Sequence, residues 1–106
     1  MSQYKIMYTV KAQNDLKEIA EYLYKLTLNK VLTKRKIRTI KTEIQSLSLF
    51  PDNCPICEIL PFKGKGLRFM TVENYNVLYQ KDEKSETIRV IRIYFGRKDP
   101  NSIVIE

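Results

Sequence analysis

Three short stretches near the C-terminal end, Leu67–Val72, Tyr75–Lys81 and Thr87–Phe95, do most to restrict what this chain can fold into. Each is rich in β-branched, aromatic and aliphatic residues, and the breaks between them are short and polar. Glu73-Asn74 fits a tight turn and Asp82–Glu86 a hairpin loop, so the three predict a small antiparallel sheet. Arg68 and Arg92 stand among the apolar residues, and the basic corner Gly96-Arg97-Lys98-Asp99 comes after the last stretch. Cations on such rigid positions suit a surface that meets something anionic.

The first sixty residues supply the other elements. Tyr4–Val10 alternates apolar and polar residues and predicts a first strand, with Thr9 or Asn14 as the cap of a helix beyond it. From Ala12 the residues Leu16, Ile19, Ala20, Leu23 and Leu26 recur at helical spacing and predict an amphipathic helix with one buried stripe. Asp15, Glu18 and Glu21 lie towards its start, where the helix dipole favours negative charge. After a break at Thr27–Lys30, a second helix is predicted over Val31–Leu49, burying Ile37, Ile40, Ile44 and Leu47, until Phe50-Pro51 ends it. Lys30, Lys34, Arg38 and Lys41 succeed one another along a neighbouring stripe, either a solvated helix face or a basic surface for an anionic partner. Asp52–Gly66, punctuated by proline and glycine, reads as a long loop with one short extended piece, Glu58–Phe62. The order strand, helix, helix, three strands predicts an α+β fold in one domain over residues 1–106, with a two-helix hairpin packed on one face of a small, mainly antiparallel sheet.

Strict alternation assigns faces. In the last strand Ile91, Ile93 and Phe95 are expected to face the helices, leaving Val90, Arg92 and Tyr94 on the other side beside either Arg68 or Leu67 and Phe69. An arginine within a packed strand is costly unless paired or exposed, so Arg68 and Arg92 are expected to open onto a concave, solvent-facing groove. The plainer alternative is a surface ion pair from each to Glu73, Asp82 or Glu86.

At 106 residues the chain has room for a single modest core and, on this reading, no second one. Nineteen Lys and Arg against twelve Asp and Glu give a net charge of +7, which favours nucleic acid, anionic lipid or an acidic protein as partner. No run approaches the roughly 18 apolar residues of a membrane span. The N-terminal residues Met-Ser-Gln-Tyr-Lys-Ile lack the apolar core of a secretion signal, so a cytoplasmic protein without membrane association is expected. Cys54 and Cys57, in Cys-Pro-Ile-Cys, could supply half of a zinc or redox site. With no histidine in the chain the remaining ligands are missing, so two reduced loop thiols, no metal and no cofactor are expected.

Several segments taken together resemble the RelE/ParE toxin superfamily nearly end to end. They are Tyr4-Lys5-Ile6-Met7-Tyr8-Thr9; Ala12 with Asp15-Leu16, Ile19 and Tyr22; Leu47-Ser48-Leu49-Phe50-Pro51; Leu67-Arg68-Phe69; Asn74 to Tyr79; and Ile91 to Asp99. The resemblance implies a toxin of a bacterial type II toxin–antitoxin system, associated with plasmid stabilisation and growth inhibition. It further implies a cognate antitoxin as partner, bound through a disordered, often acidic segment for which the basic helix face Lys30, Lys34, Arg38 and Lys41 is a candidate. The target implied is DNA gyrase for ParE-like members, or the ribosome and its mRNA for RelE-like ones.

Cutting RNA through its own 2′-hydroxyl requires a base, an acid and cations. RelE-like enzymes that lack histidines are expected to place lysines, arginines and a tyrosine on the concave sheet face and the C-terminal tail. Here Met70 and Asn76 stand where cations are usual, and Ile103 or Val104 stands where the aromatic acid–base group is. The catalytic candidates that remain are Arg68, Arg92, Tyr94, Arg97 and Lys98, with Tyr75 as a further tyrosine that could stack on a base or donate a proton. Arg68, Arg92, Arg97 and Lys98 suit a surface that binds a target or nucleic acid better than a reaction centre. The first expectation is a ParE-like toxin acting by binding; the alternatives are a ribosome-dependent mRNA interferase, and a non-toxic basic interaction domain of the same fold.

Overall fold

The computed structural model describes residues 3–105; residues 1, 2 and 106, the ends of the expected domain range and of the N-terminal Met-Ser stretch, lie outside the described residues. A short strand β1 (Lys5–Tyr8) leads into α1 (Val10–Thr27) and α2 (Lys30–Gln45), and a 3-10 turn at Ser46–Ser48 closes the helical half. Strands β2 (Leu67–Val72), β3 (Tyr75–Asp82) and β4 (Thr87–Phe95) come next, then a second 3-10 turn at Pro100–Ser102. The sheet order is β1-β4-β3-β2, with the two hairpin pairs antiparallel and β1 parallel to β4. The fold is the expected α+β arrangement, a helical hairpin against a mainly antiparallel sheet. Among the described residues no helix is long and apolar enough to cross a membrane.

The helices begin where side chains satisfy their first backbone donors. Thr9 caps α1, its hydroxyl accepting from the Ala12 N–H, and Asn29 caps α2 by accepting from Leu32. The first strand therefore ends at Tyr8 and not at Val10, because Thr9 and Val10 are consumed by the helix start. Leu28 stands between the helices with φ 52°, its N–H donating to Tyr24 O, so a leucine fills a left-handed position where glycine is usual. The second helix is shorter than Val31–Leu49: it opens at Lys30 and tightens into the 3-10 turn that carries Leu47 into the core. Leu26 is exposed, so the buried stripe of α1 stops one turn earlier than its spacing implies.

The helix-side core joins Ala12, Leu16 and Ile19 of α1 and Ile40 and Ile44 of α2 to Met70, Val72, Val77, Tyr79, Ile88, Val90 and Ile93 of the sheet. A second cluster covers the opposite face, formed by Cys57, Phe62, Leu67, Leu78, Ile91, Tyr94 and Ile103. The expectation of one core is corrected here. The long loop and the C-terminal tail fold back over the far side of the sheet, and each contributes apolar side chains that a sheet open on one face would have left in water.

A β-bulge sets the faces. Leu78 is opposite Arg92 and Tyr79 opposite Val90, so Ile91 is an extra residue in β4. Alternation slips by one at that point: Val90 and Ile93 point to the helices while Ile91 joins Tyr94 on the far face. The expected trio of Ile91, Ile93 and Phe95 is thereby broken, and Val90 leaves the side of Arg92 and Tyr94. Phe95 meets the Tyr75 ring edge-on at 6.0 Å. The piece Glu58–Phe62 is not extended; the one bridge made by the loop is Ile56 with Arg68.

Candidate functional site

Arg92 sits just after the bulge, at the edge of β4 where β1 has ended. Its Nε and Nη2 donate to the two carboxylate oxygens of Asp15 at 2.7 and 2.8 Å, and Nη1 donates to Val104 O at 2.6 Å. Asp15 Oδ2 also accepts the Ile93 N–H at 2.9 Å, while the Thr9 hydroxyl donates to Ile91 O. Side chains from α1 and from its cap, Thr9, thus replace β1 as hydrogen-bond partners of the β4 edge. Asp15 is buried, at 6% exposure, and the two-pronged pair holds the Arg92 guanidinium firmly in its charged form, its pKa raised first by that hydrogen bond. Asp15 does not act as a solvated complement to the helix dipole. Its signal in the sequence was an acid at the centre of an apolar stripe, between Ala12 and Ile19.

Arg68 belongs to the other face of the sheet. It lies opposite Tyr79, among the helix-side residues, and its Nη1 donates to Cys54 O at 2.6 Å while Nη2 is 3.3 Å from Asp52. Asp52 is gripped as well by Lys81 Nζ at 2.9 Å, and that hydrogen bond comes first among the causes that hold its carboxyl below the usual aspartate range. The expected groove with Arg68 and Arg92 side by side does not form: the two guanidiniums lie on opposite faces. Their carboxylate partners are Asp52 and Asp15, in place of the anticipated Glu73, Asp82 or Glu86. Between them the far face is occupied by the second apolar cluster, with Leu67 on that side and Phe69 packed against it.

Tyr94 is buried in that cluster, beside Asn76, and burial pushes its hydroxyl pKa up. Tyr75 is half-buried on the helix side, packed against the first core. Two of the candidate cations remain exposed, Arg97 and Lys98, and they diverge. Arg97 borders a depression of about 410 Å³ with Thr71, Asn74, Asn76, Phe95 and Gly96, where the Thr71 hydroxyl donates to Asn76 Oδ1 at 3.2 Å. Gly96 closes this corner by donating its N–H to Asn74 O at 2.8 Å, and a Cβ there would stand 3.2 Å from that same oxygen. Lys98 instead borders a groove of about 620 Å³ between α1 and the strand ends, lined by Tyr22, Leu26, Tyr75 and Phe95.

The basic run of α2 does form a continuous feature. Lys34, Arg38 and Lys41 flank a shallow groove of about 500 Å³ floored by Ala20 and Ile37; Lys30, on the first turn of the helix, is outside it. Through Ala20, Ile37, Lys41 and Gln45 this groove continues into a second of about 840 Å³, which reaches β1 and adds Lys17, Leu16, Ile6 and Met7. Neither lining contains an Asp or Glu. Lys17 and Met7 were not anticipated: only the packing of α1 against β1 places them beside the α2 cations. Cys54 and Cys57 are free thiols assigned to different faces of the sheet, and no cluster of three or more His, Cys, Asp or Glu side chains suited to a metal occurs among the described residues.

The family model for the ParE toxin of type II toxin–antitoxin systems, parDE, matches residues 6–100. The chain belongs to the ParE toxin family. Solved structures agree on the fold. A chain of the chromosomal ParDE toxin–antitoxin system from P. aeruginosa superposes with a TM-score of 0.70 at 18% identity, covering 88% of this chain and 96% of that one. A chain of the RelBE2 toxin–antitoxin complex from Mycobacterium tuberculosis gives a TM-score of 0.61 at 16% identity, covering 88% and 98%. No individually curated protein matches the chain in sequence. Within the ParE fold, then, this molecule has a filled far face, two internally paired arginines and a cation-lined groove on the helical side.

Proposed function

We propose that this ParE-family chain is a toxin that acts by binding a macromolecular target such as DNA gyrase, and that an antitoxin neutralises it. The observation that carries the reading is the state of the far sheet face. A ribonuclease of the RelE type needs cations and an acid–base group there, open to RNA. In this chain that face holds Cys57, Phe62, Leu67, Leu78, Ile91 and Ile103, and its one tyrosine, Tyr94, is buried among them. Arg92 is engaged by Asp15 and by the tail, and Arg68 by the loop. In this reading Arg92 and Arg68 are positioning residues, Arg97 and Lys98 are the cations left to meet the target, and the groove beside Lys34, Arg38 and Lys41 receives the antitoxin.

Two assays run side by side test this. Purified protein added to a gyrase supercoiling reaction is expected to inhibit it, with Arg97→Ala/Lys98→Ala weakening inhibition about tenfold or more. The same protein added to ribosomes loaded with mRNA is expected to leave the message intact. Codon-positioned cleavage would overturn the reading in favour of an mRNA interferase, and growth unaffected by expression would leave a non-toxic interaction domain.

A further inference from the structure

We propose that Cys54 is a modification site: a small peroxide oxidises its thiol to a sulfenic acid, whose new oxygen is held by the Tyr79 hydroxyl and the Arg68 guanidinium, while Cys57 stays reduced. Neither thiol lines a groove assigned above to target or antitoxin, so the site stands apart from the toxin reading.

The spacing Cys-Pro-Ile-Cys invites an internal disulfide, and the fold opposes one. Cys57 is 3% exposed in the far-face cluster, with its thiol turned to Ile59 O and its N–H donating to Leu67 O at 2.6 Å. Cys54 is half-buried and packs against the helix-side core. Between them Ile56 bridges to Arg68 and fixes the chain along β2. For the two sulfurs to join, one of them must leave its cluster.

The surroundings of Cys54 lack an acceptor. Tyr79 is wholly buried, and its hydroxyl is the one buried side-chain oxygen or nitrogen among the described residues without a hydrogen-bond partner. A buried hydroxyl left in that state is costly, and polar atoms in protein cores nearly always find a partner. Tyr79 stands opposite Arg68 across the β2–β3 pair, and Arg68 Nη1 donates to Cys54 O at 2.6 Å, so hydroxyl, guanidinium and cysteine meet at one corner. Burial first, and then the Cys54 side chain, push the Tyr79 hydroxyl pKa up, while Arg68 draws it down. The hydroxyl therefore keeps its proton and can serve as a donor. A thiol sulfur is a weak acceptor for it, whereas an oxygen carried on that sulfur is a strong one. Arg68 has donors to spare for the same oxygen: Nη1 is engaged by Cys54 O and Nη2 lies 3.3 Å from Asp52, while Nε has no partner among the described residues.

The step balances with hydrogen peroxide as the oxidant. A lone pair on the Cys54 sulfur attacks one peroxide oxygen, the S–O bond forms as the O–O bond breaks, and the departing oxygen takes the thiol proton and leaves as water. Sulfur gives up the electron pair that peroxide gains. With Cys57 held on the other face, the sulfenic acid is not consumed by an internal disulfide. A small thiol from solution restores Cys54 by condensing with the sulfenic acid, which releases water, after which a second thiol displaces the cysteine from the mixed disulfide.

The purified full chain is treated with hydrogen peroxide, trapped with dimedone, a reagent selective for sulfenic acids, and mapped by peptide mass spectrometry. The adduct is expected on Cys54 in at least about tenfold excess over the more deeply buried Cys57. Cys57→Ser is expected to leave the Cys54 adduct unchanged. Tyr79→Phe removes no hydrogen bond from the reduced chain and is expected to fold as the parent does. After oxidation the same variant is expected to shorten the lifetime of the sulfenic acid about tenfold, read as faster passage to the sulfinic acid. Arg68→Lys keeps the charge but loses the planar fork, and is expected to shorten that lifetime as well. If the lysine variant is misfolded by circular dichroism, Tyr79→Phe decides alone. No adduct at Cys54, an adduct shared equally by the two cysteines, a disulfide between Cys54 and Cys57 in the peptide map, or a sulfenic acid equally long-lived in Tyr79→Phe would each overturn the proposal.

Discussion

Single side chains in this molecule decide how its charges are used. Asp15 accepts three hydrogen bonds, two from Arg92 and one from Ile93 N–H, inside a nearly dry junction. Removing one member of such a pair leaves the other buried and uncompensated. Asp15→Ala is therefore expected to lower the unfolding free energy by about 3–5 kcal/mol in urea titrations, with Asp15→Asn, which keeps an acceptor for Ile93, losing less. Asp52 is a different case, an exposed carboxylate held by Lys81 and Arg68. Its folded pKa lies below its unfolded value, so its contribution is present above the ordinary aspartate value of about 3.9 and is lost as pH falls through the lower folded value. Acid unfolding curves of Asp52→Asn are expected to lose part of the stability decline that the parent shows in that window, with a small effect at neutral pH because the group is exposed.

At the scale of elements, caps and turns explain where the helices begin and end. Thr9 both caps α1 and donates to Ile91 O, so it ties the helix start to the bulge. Thr9→Ala is expected to cost about 1–2 kcal/mol, the upper part of the range for a lost cap, measured by thermal or chemical unfolding. Leu28 sits at φ 52° and is 76% exposed, so it bears the left-handed penalty without burying much surface. Leu28→Gly is expected to stabilise the helical hairpin by about 0.5–1 kcal/mol, visible as a raised melting temperature. Both helices and all four strands were legible in the sequence because their periodicities and punctuation are local properties. The bulge at Ile91 was not, since no residue in Val90-Ile91-Arg92 marks it; it arises because β4 must pair with β3 while yielding its other edge from β1 to α1.

For the whole molecule, the consequential feature is the doubling of the core. Ile103, in a tail beyond the last strand, is 6% exposed and packs with Phe62 of the long loop over Leu78 and Tyr94. Ile103→Ala is expected to destabilise the fold by about 2–4 kcal/mol in equilibrium unfolding, a core-sized loss from a position beyond the last strand. Composition, net charge, strand and helix periodicity and the family resemblance were all settled by the sequence, because each is a simple count, a pattern among neighbours within a few positions, or a succession of short segments along the chain. Which guanidiniums are free, which face is filled, and how Lys17 and β1 come to border the α2 cations were decided only by tertiary structure. Those outcomes turn on contacts between residues as far apart as Asp15 and Arg92, and a one-residue bulge is enough to exchange the two faces of a strand.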